Sequence, residues 1–293
     1  MLSLHFHLYL VYSLFYRKKR KMLFSKKNCS ECGSNYDIVD STCPVCGHRD
    51  ENFETLGIPK NVTWLSWPKQ IIIFAIGLIG LNLMSLVGEL IFMRFLDPNS
   101  VTYLTMVNVF RYAICAVAIC LVIFNDFKKF KPAFTKWQPY LIGIGFSAAI
   151  LVSQIIIGVI IQAFHPTTTS DNQQAVVSVI NAYPVLSIFL LGIVGPVVEE
   201  FTYRLGLFTF LRRVNVFVAY IVTSIIFGLI HFNFFATGDA LINELLNLPS
   251  YIISGFLLTL AYDKFGFACS SIAHIGNNLF SIVVSMIPFF VMR

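Results

Sequence analysis

The chain has 293 residues, of which 57% are hydrophobic and 12% charged, and its mean hydropathy is +0.75. That balance excludes an ordinary soluble domain, in which about a quarter of the residues are charged. The net charge of +6 invites a nucleic-acid partner, but its distribution argues against one. Ten of the 21 Lys and Arg precede residue 70; Lys128, Lys129, Lys131 and Lys136 share one loop, Arg212 and Arg213 another, and Lys264 marks a third. The alternate loops hold Asp97, Asp171, Asp239 and Glu244 and no Lys or Arg. This is the positive-inside pattern of a multi-pass cell-membrane protein with a cytoplasmic N-terminus.

Residues 1–21 form an apolar-basic leader in which RKKRK follows the apolar stretch Leu2–Tyr16. A secretory signal has the opposite polarity and a cleavage site. Two readings stand: an interfacial anchor, or a physiological start at Met22.

Residues 22–50 carry Cys29, Cys32, Cys43 and Cys46 as CSEC, ten residues, then CPVC. Two C-x-x-C pairs at this spacing can converge four thiolates on a structural Zn²⁺. Gly33 and Gly47 follow each pair and allow the tight backbone such a knuckle needs. The expectation is a small cytoplasmic zinc ribbon that docks a partner unidentified by its sequence. Residues 51–69 read as a linker, with Trp64 and Trp67 at the membrane interface.

Apolar runs near the ~20 residues that cross a bilayer then recur. They fall at Gln70–Leu96, Val101–Asn125, Tyr140–Phe164, Val185–Leu211, Asn215–Phe235, Pro249–Tyr262 and Phe267–Met292. The fold class is therefore an all-α polytopic membrane protein of about seven transmembrane helices, preceded by the ribbon. Residues 70–137 hold the first two helices and 138–293 the remainder. Glu89 and Arg111 fall near the outer end of the first two spans and are expected to pair. Cys115, Cys120 and Cys269 are scattered apolar-span cysteines that pack as small hydrophobes.

Polar residues within spans are costly and face an interior or a watery cavity. Glu199 and Glu200 sit side by side in PVVEEFTYRLG, with Arg204 one turn on. Glu200 and Arg204 share a helix face and can pair, which leaves Glu199 free to face a cavity as a general base. His231 and His274 are the only histidines within apolar spans, and Asn278 lies one turn beyond His274. At 1.5 Å per residue from the inner ends, Glu199 lies roughly 18 Å deep, His231 roughly 25 Å and His274 roughly 13 Å. Helix tilt can close such differences.

EEFTYR, FGLIH and HIGNN, in this order on separate spans, resemble the EExxxR, FxxxH and HxxxN motifs of the CPBP intramembrane proteases. That family is also called the CAAX-protease and bacteriocin-processing family. The likeness covers about Gln138 to Phe290. It implies that Glu199 activates water, with Glu200 and Arg204 beside it. It also implies that His231, His274 and Asn278 either bind a metal or stabilise the oxyanion; two histidines and a carboxylate would suit a catalytic Zn²⁺. The expected activity is endopeptidase cleavage of a membrane-associated protein or peptide within the lipid. The composition suits a bacterial protein, whose relatives usually lack prenylated substrates. The competing readings are a non-catalytic scaffold and an ion- or proton-coupled transporter using the buried Glu and His. The transporter would show paired broken helices in an internal repeat, and no counterpart of the glutamate motif occurs in the first half.

Overall fold

In lipid every backbone polar group must be satisfied within the protein, so long apolar segments become helices. The computed structural model describes residues 26–31, 33, 35–37, 65–135, 137–165 and 169–291. Its longer helices are α1 (Trp67–Phe92), α2 (Val101–Ile123), α3 (Gln138–Phe164), α4 (Asp171–Ala182), α5 (Pro184–Arg212), α6 (Val216–Leu229), α7 (Gly238–Phe265) and α8 (Phe267–Val291). Six of them, α1, α2, α3, α5, α7 and α8, are long and apolar enough to cross a membrane. The protein is a multi-pass membrane protein.

The helix boundaries follow from capping chemistry. Ser100 accepts a hydrogen bond from Tyr103 N, Ser170 from Gln173 N, and Asn215 from Phe217 N and Val218 N. Each satisfies donors that a helix start leaves orphaned. Gly266, with φ +92°, makes the reversal between α7 and α8 that a residue with a Cβ would resist.

Two expected spans differ. The fifth, α6, has 14 residues and so rises only about 21 Å of a ~30 Å core. It nevertheless joins the two ends of the bundle. Tyr220 near its start donates to Asp263 at the end of α7, and Asn233 just beyond it meets Asp171 at the start of α4. The sixth, α7, begins at Gly238 rather than at Pro249, which lies inside it. Asp239 and Glu244, expected in a loop, are on this helix. Glu244 is buried because its carboxylate accepts from Asp171 N at 2.7 Å and Asn233 N at 3.0 Å.

Small residues let helices approach closely. A Cβ on Gly206 of α5 would lie 3.0 Å from both Gln70 O and Phe74 N of α1. The α3 face bearing Ile155, Val159 and Ile160 points outward into what would be lipid.

Ahead of the bundle, β1 (Lys26–Asn28) and β2 (Asn35–Asp37) pair antiparallel, Lys26 opposite Asp37. The turn buries Cys29, and Gly33 (φ +69°) returns its N–H to Cys29 O at 2.9 Å. Cys32, Cys43, Cys46 and the 1–21 leader lie outside the described residues.

Candidate active site

Helix α5 is not regular. It is wound as a π-helix over Leu190–Val194 and again over Glu200–Phe208, on either side of Glu199. Wide turns of this kind recur at functional sites, because they re-aim side chains that a 3.6-residue period would stack. Pro196 adds to the local irregularity by removing one backbone donor.

The two glutamates face different surroundings. Glu200 and Arg204 are both fully buried, with Glu200 Oε1 3.4 Å from an Arg204 terminal nitrogen. The Arg204 guanidinium also lies 4.5 Å over the Phe227 ring and makes no hydrogen bond among the described residues. Charge and the aromatic face hold it. Glu199, by contrast, lines a cavity of about 740 Å³, which Glu200 and Arg204 do not line. His231, His274 and Asn278 line the same cavity.

His274 on α8 bridges the pair. Its Nδ1 lies 3.0 Å from Glu200 Oε1 and its Nε2 lies 3.7 Å from Glu199 Oε2. Beyond the end of α6, His231 Nδ1 lies 2.8 Å from Phe227 O. A carbonyl oxygen and a carboxylate can only accept, so both Nδ1 atoms carry the hydrogen and both Nε2 atoms keep a lone pair in the neutral ring. That is the tautomer of a metal-binding imidazole oriented by its outer partner, so the donor chemistry fits a divalent metal. As placed, no three His, Cys, Asp or Glu side chains converge as a metal cluster among the described residues. Asn278 donates from Nδ2 to Leu191 O at 3.0 Å and accepts from Asn277. Its amide is thereby fixed against the π-turn of α5.

Three cavity residues make contacts that sequence reasoning does not anticipate. Tyr112 on α2 donates from its hydroxyl to Glu199 Oε1 at 3.3 Å. An aromatic in an apolar span reads as core, so no signal distinguished it. Tyr251 on α7 stacks on His231 with ring centroids 4.6 Å apart and planes 9° from parallel. Its hydroxyl meets Ser170 Oγ at 3.1 Å and receives a hydrogen bond from Asn172 at 3.2 Å, so the start of α4 is tied to the His231 ring. Arg111 is the third. It donates to Ser85 Oγ at 3.2 Å, and the expected ion pair with Glu89 does not form. Glu89 lies one turn beyond Ser85 on α1 and is exposed, and Arg111 turns to Ser85 instead.

Residues 181–280 match the family model described as type II CAAX prenyl endopeptidase Rce1-like. It is a peptidase family. The matched stretch is about a third of the chain and contains Glu199, Glu200, Arg204, His231, His274 and Asn278; Arg111 and Tyr112 lie outside it. The chain is 32% identical over 121 residues to "Putative membrane peptidase YdiL" of Bacillus subtilis, covering 41% of this chain and 45% of that one. It is 24% identical over 152 residues to the UPF0177 protein YvdC of Lactococcus lactis, covering 52% and 54%. The chain thus spans about half the length of the curated relatives it matches. No solved structure matches.

Proposed function

We propose that this protein is an intramembrane endopeptidase that hydrolyses a peptide bond of a membrane-associated protein or peptide, with Glu199 as its base. The observation that carries the reading is the division of labour on α5. Glu199 faces a cavity shared with two imidazoles and a carboxamide, while Glu200 is neutralised behind it by Arg204.

The 3.7 Å between His274 Nε2 and Glu199 Oε2 is long for a direct hydrogen bond but suits two groups that share a water. In the proposed reaction the water oxygen attacks the scissile carbonyl carbon and Glu199 takes its proton. The carbonyl electrons move to oxygen. The free N–H of the Asn278 amide is a donor available to that oxyanion. Collapse breaks the C–N bond, and the proton held by Glu199 passes to the departing amine. A divalent metal held by His231 and His274 would supply Lewis acidity and acidify its bound water. Tyr112 holds one Glu199 oxygen so that the other is presented to the cavity. Replacing Glu199 with Gln should abolish cleavage of a membrane-anchored reporter while the protein accumulates normally. Undiminished cleavage by that variant would overturn the reading.

We further infer that residues 22–50 bind one structural Zn²⁺ through Cys29, Cys32, Cys43 and Cys46, on the cytoplasmic side, as a docking module for a partner protein. The hairpin at Cys29 and the positive φ of Gly33 support that reading. Membrane lipid surrounds the bundle, and no nucleic-acid contact is proposed.

A further inference from the structure

Arg111 is the anomaly of the cavity. It lies ten residues into α2, about 15 Å along the axis and so near the middle of a ~30 Å hydrocarbon core. A cation at that depth is costly unless it is paired or faces water. Among the described residues it donates to the neutral Ser85 hydroxyl, its Nε is buried without a partner, and no carboxylate forms an ion pair with it. Its remaining support is the Tyr112 ring, 5.0 Å away. The same cavity wall carries Glu199, whose carboxylate is held by Tyr112, the next residue along the chain. A fork of planar donors without a counter-ion, in the chamber where a peptide would be cut, calls for a planar anion.

We propose that Arg111 is a substrate-binding residue that receives a carboxylate of the peptide, placing it a fixed distance from Glu199. The proposal rests on the proteolytic reading and adds the substrate class to it: peptides with an acidic group a few residues from the bond cut. A lipid phosphate is the less suitable occupant, since headgroups lie at the surface and Arg111 lies about 15 Å in. Glu89 also lines the cavity, but it is exposed near the end of α1. Among the described residues lining the cavity, Arg111 is the one Lys or Arg. The carboxylate can be the peptide's C-terminus or an Asp or Glu side chain; both present the same two oxygens.

The test is binding, kept apart from turnover. Four N-terminally labelled Leu/Ala peptides are titrated against the detergent-solubilised full chain carrying Glu199→Gln: a C-terminal acid, its amide, and the amide with one internal Glu or Gln. The charged form of one pair should bind roughly tenfold or more tighter than its neutral form, as expected for a charged hydrogen-bonded pair out of water. Whether the terminal or the internal acid gains tells which source the site takes. Arg111→Gln should erase that preference, and Arg111→Lys should retain part of it. Equal binding of all four peptides, or no binding of any, overturns the subsite. Cleavage of a membrane-anchored reporter by the chain with Glu199 intact, compared with Glu199→Gln, tests the proteolytic reading by itself. An acid preference without Glu199-dependent cleavage would keep the subsite and sink the protease.

Discussion

At the scale of single residues, the adjacent glutamates are chemically identical and physically unlike. Glu200 is fully enclosed with Arg204 and receives His274 Nδ1, whereas Glu199 opens on the cavity. Glu199→Gln should therefore lower turnover by about 10²–10⁴, the usual share of a general base, with folding spared. Glu200→Gln strands the Arg204 cation in a buried site, a loss of roughly 3–5 kcal/mol, and should reduce the yield of folded protein as well as activity. The check is to normalise reporter cleavage to folded protein for each variant; near-normal specific activity for Glu199→Gln would refute its role. Tyr112→Phe keeps the ring and removes only the 3.3 Å contact to Glu199. It should lower kcat by about tenfold with little change in KM, the lower end of what a hydrogen bond to a charged group is worth. A change in KM alone would make Tyr112 a wall of the cavity and nothing more.

How much of this was legible depended on whether a residue broke its local pattern. Glu199, Glu200, Arg204, His231 and His274 stood out because ionisable groups in apolar spans are expensive, and the structure gathers them between α5, α6 and α8. Tyr112 and Tyr251 broke nothing, since an aromatic in a membrane helix is ordinary. Arg111 did break the pattern, but an available Glu89 suggested a partner, whereas the structure turns Arg111 to Ser85.

At the scale of elements the same logic explains what was missed. Helix α4 begins at Ser170-Asp171, an ordinary N-cap followed by an acidic first turn; its mixed polar content read as loop. Pro249 looked like a helix start because proline fits the first turn, yet membrane helices absorb an interior proline when neighbours satisfy the freed carbonyl. The π-turns of α5 have no sequence signature, and they carry the tightest packing. Gly206→Val should force α1 off α5, because the added atoms meet backbone on the Gln70–Phe74 side. A cost on the order of 1–3 kcal/mol is expected from such overpacking. Gly145, with nothing within 4 Å of a built Cβ, is the control: Gly145→Ala should leave thermal stability unchanged or slightly raised, and equal destabilisation of both would refute the close approach. The ribbon is tested at this scale too. Purified protein should lose zinc in the Cys29→Ser, Cys43→Ser double variant and keep it in His231→Ala, and unchanged zinc in the double variant would remove the ribbon assignment.

At the scale of the whole molecule, the charges sort onto two ends of the bundle. One end carries Lys69 with Asp126 at 2.6 Å, Arg212 with Asp263 at 2.7 Å, and Lys264 with Asp263 at 3.2 Å. These residues mark the start of α1, the ends of α2, α5 and α7, and the approach to α6. The other end carries Arg94 and Asp97 beyond α1, together with Asp171, Asn233 and Glu244, which are joined across the starts of α4 and α7. Basic residues are retained on the cytoplasmic side, so the first end should face the cytoplasm and the second the exterior. The sensitive element is α6. Although only 14 residues long, it runs from the basic end at Asn215 to the acidic end at Asn233, and the turn after Leu229 completes the crossing. A traverse by α6 would bring the six long helices to seven crossings, with the end of α8 on the side opposite the start of α1. Reporters fused within Lys128–Lys136 should read as cytoplasmic, and those fused after Phe235 or after Arg293 as external. If the Phe235 fusion reads as cytoplasmic, α6 does not traverse. His231 would then be withdrawn from the chamber that Glu199 and His274 share, and the proposed site would lose one of its two imidazoles.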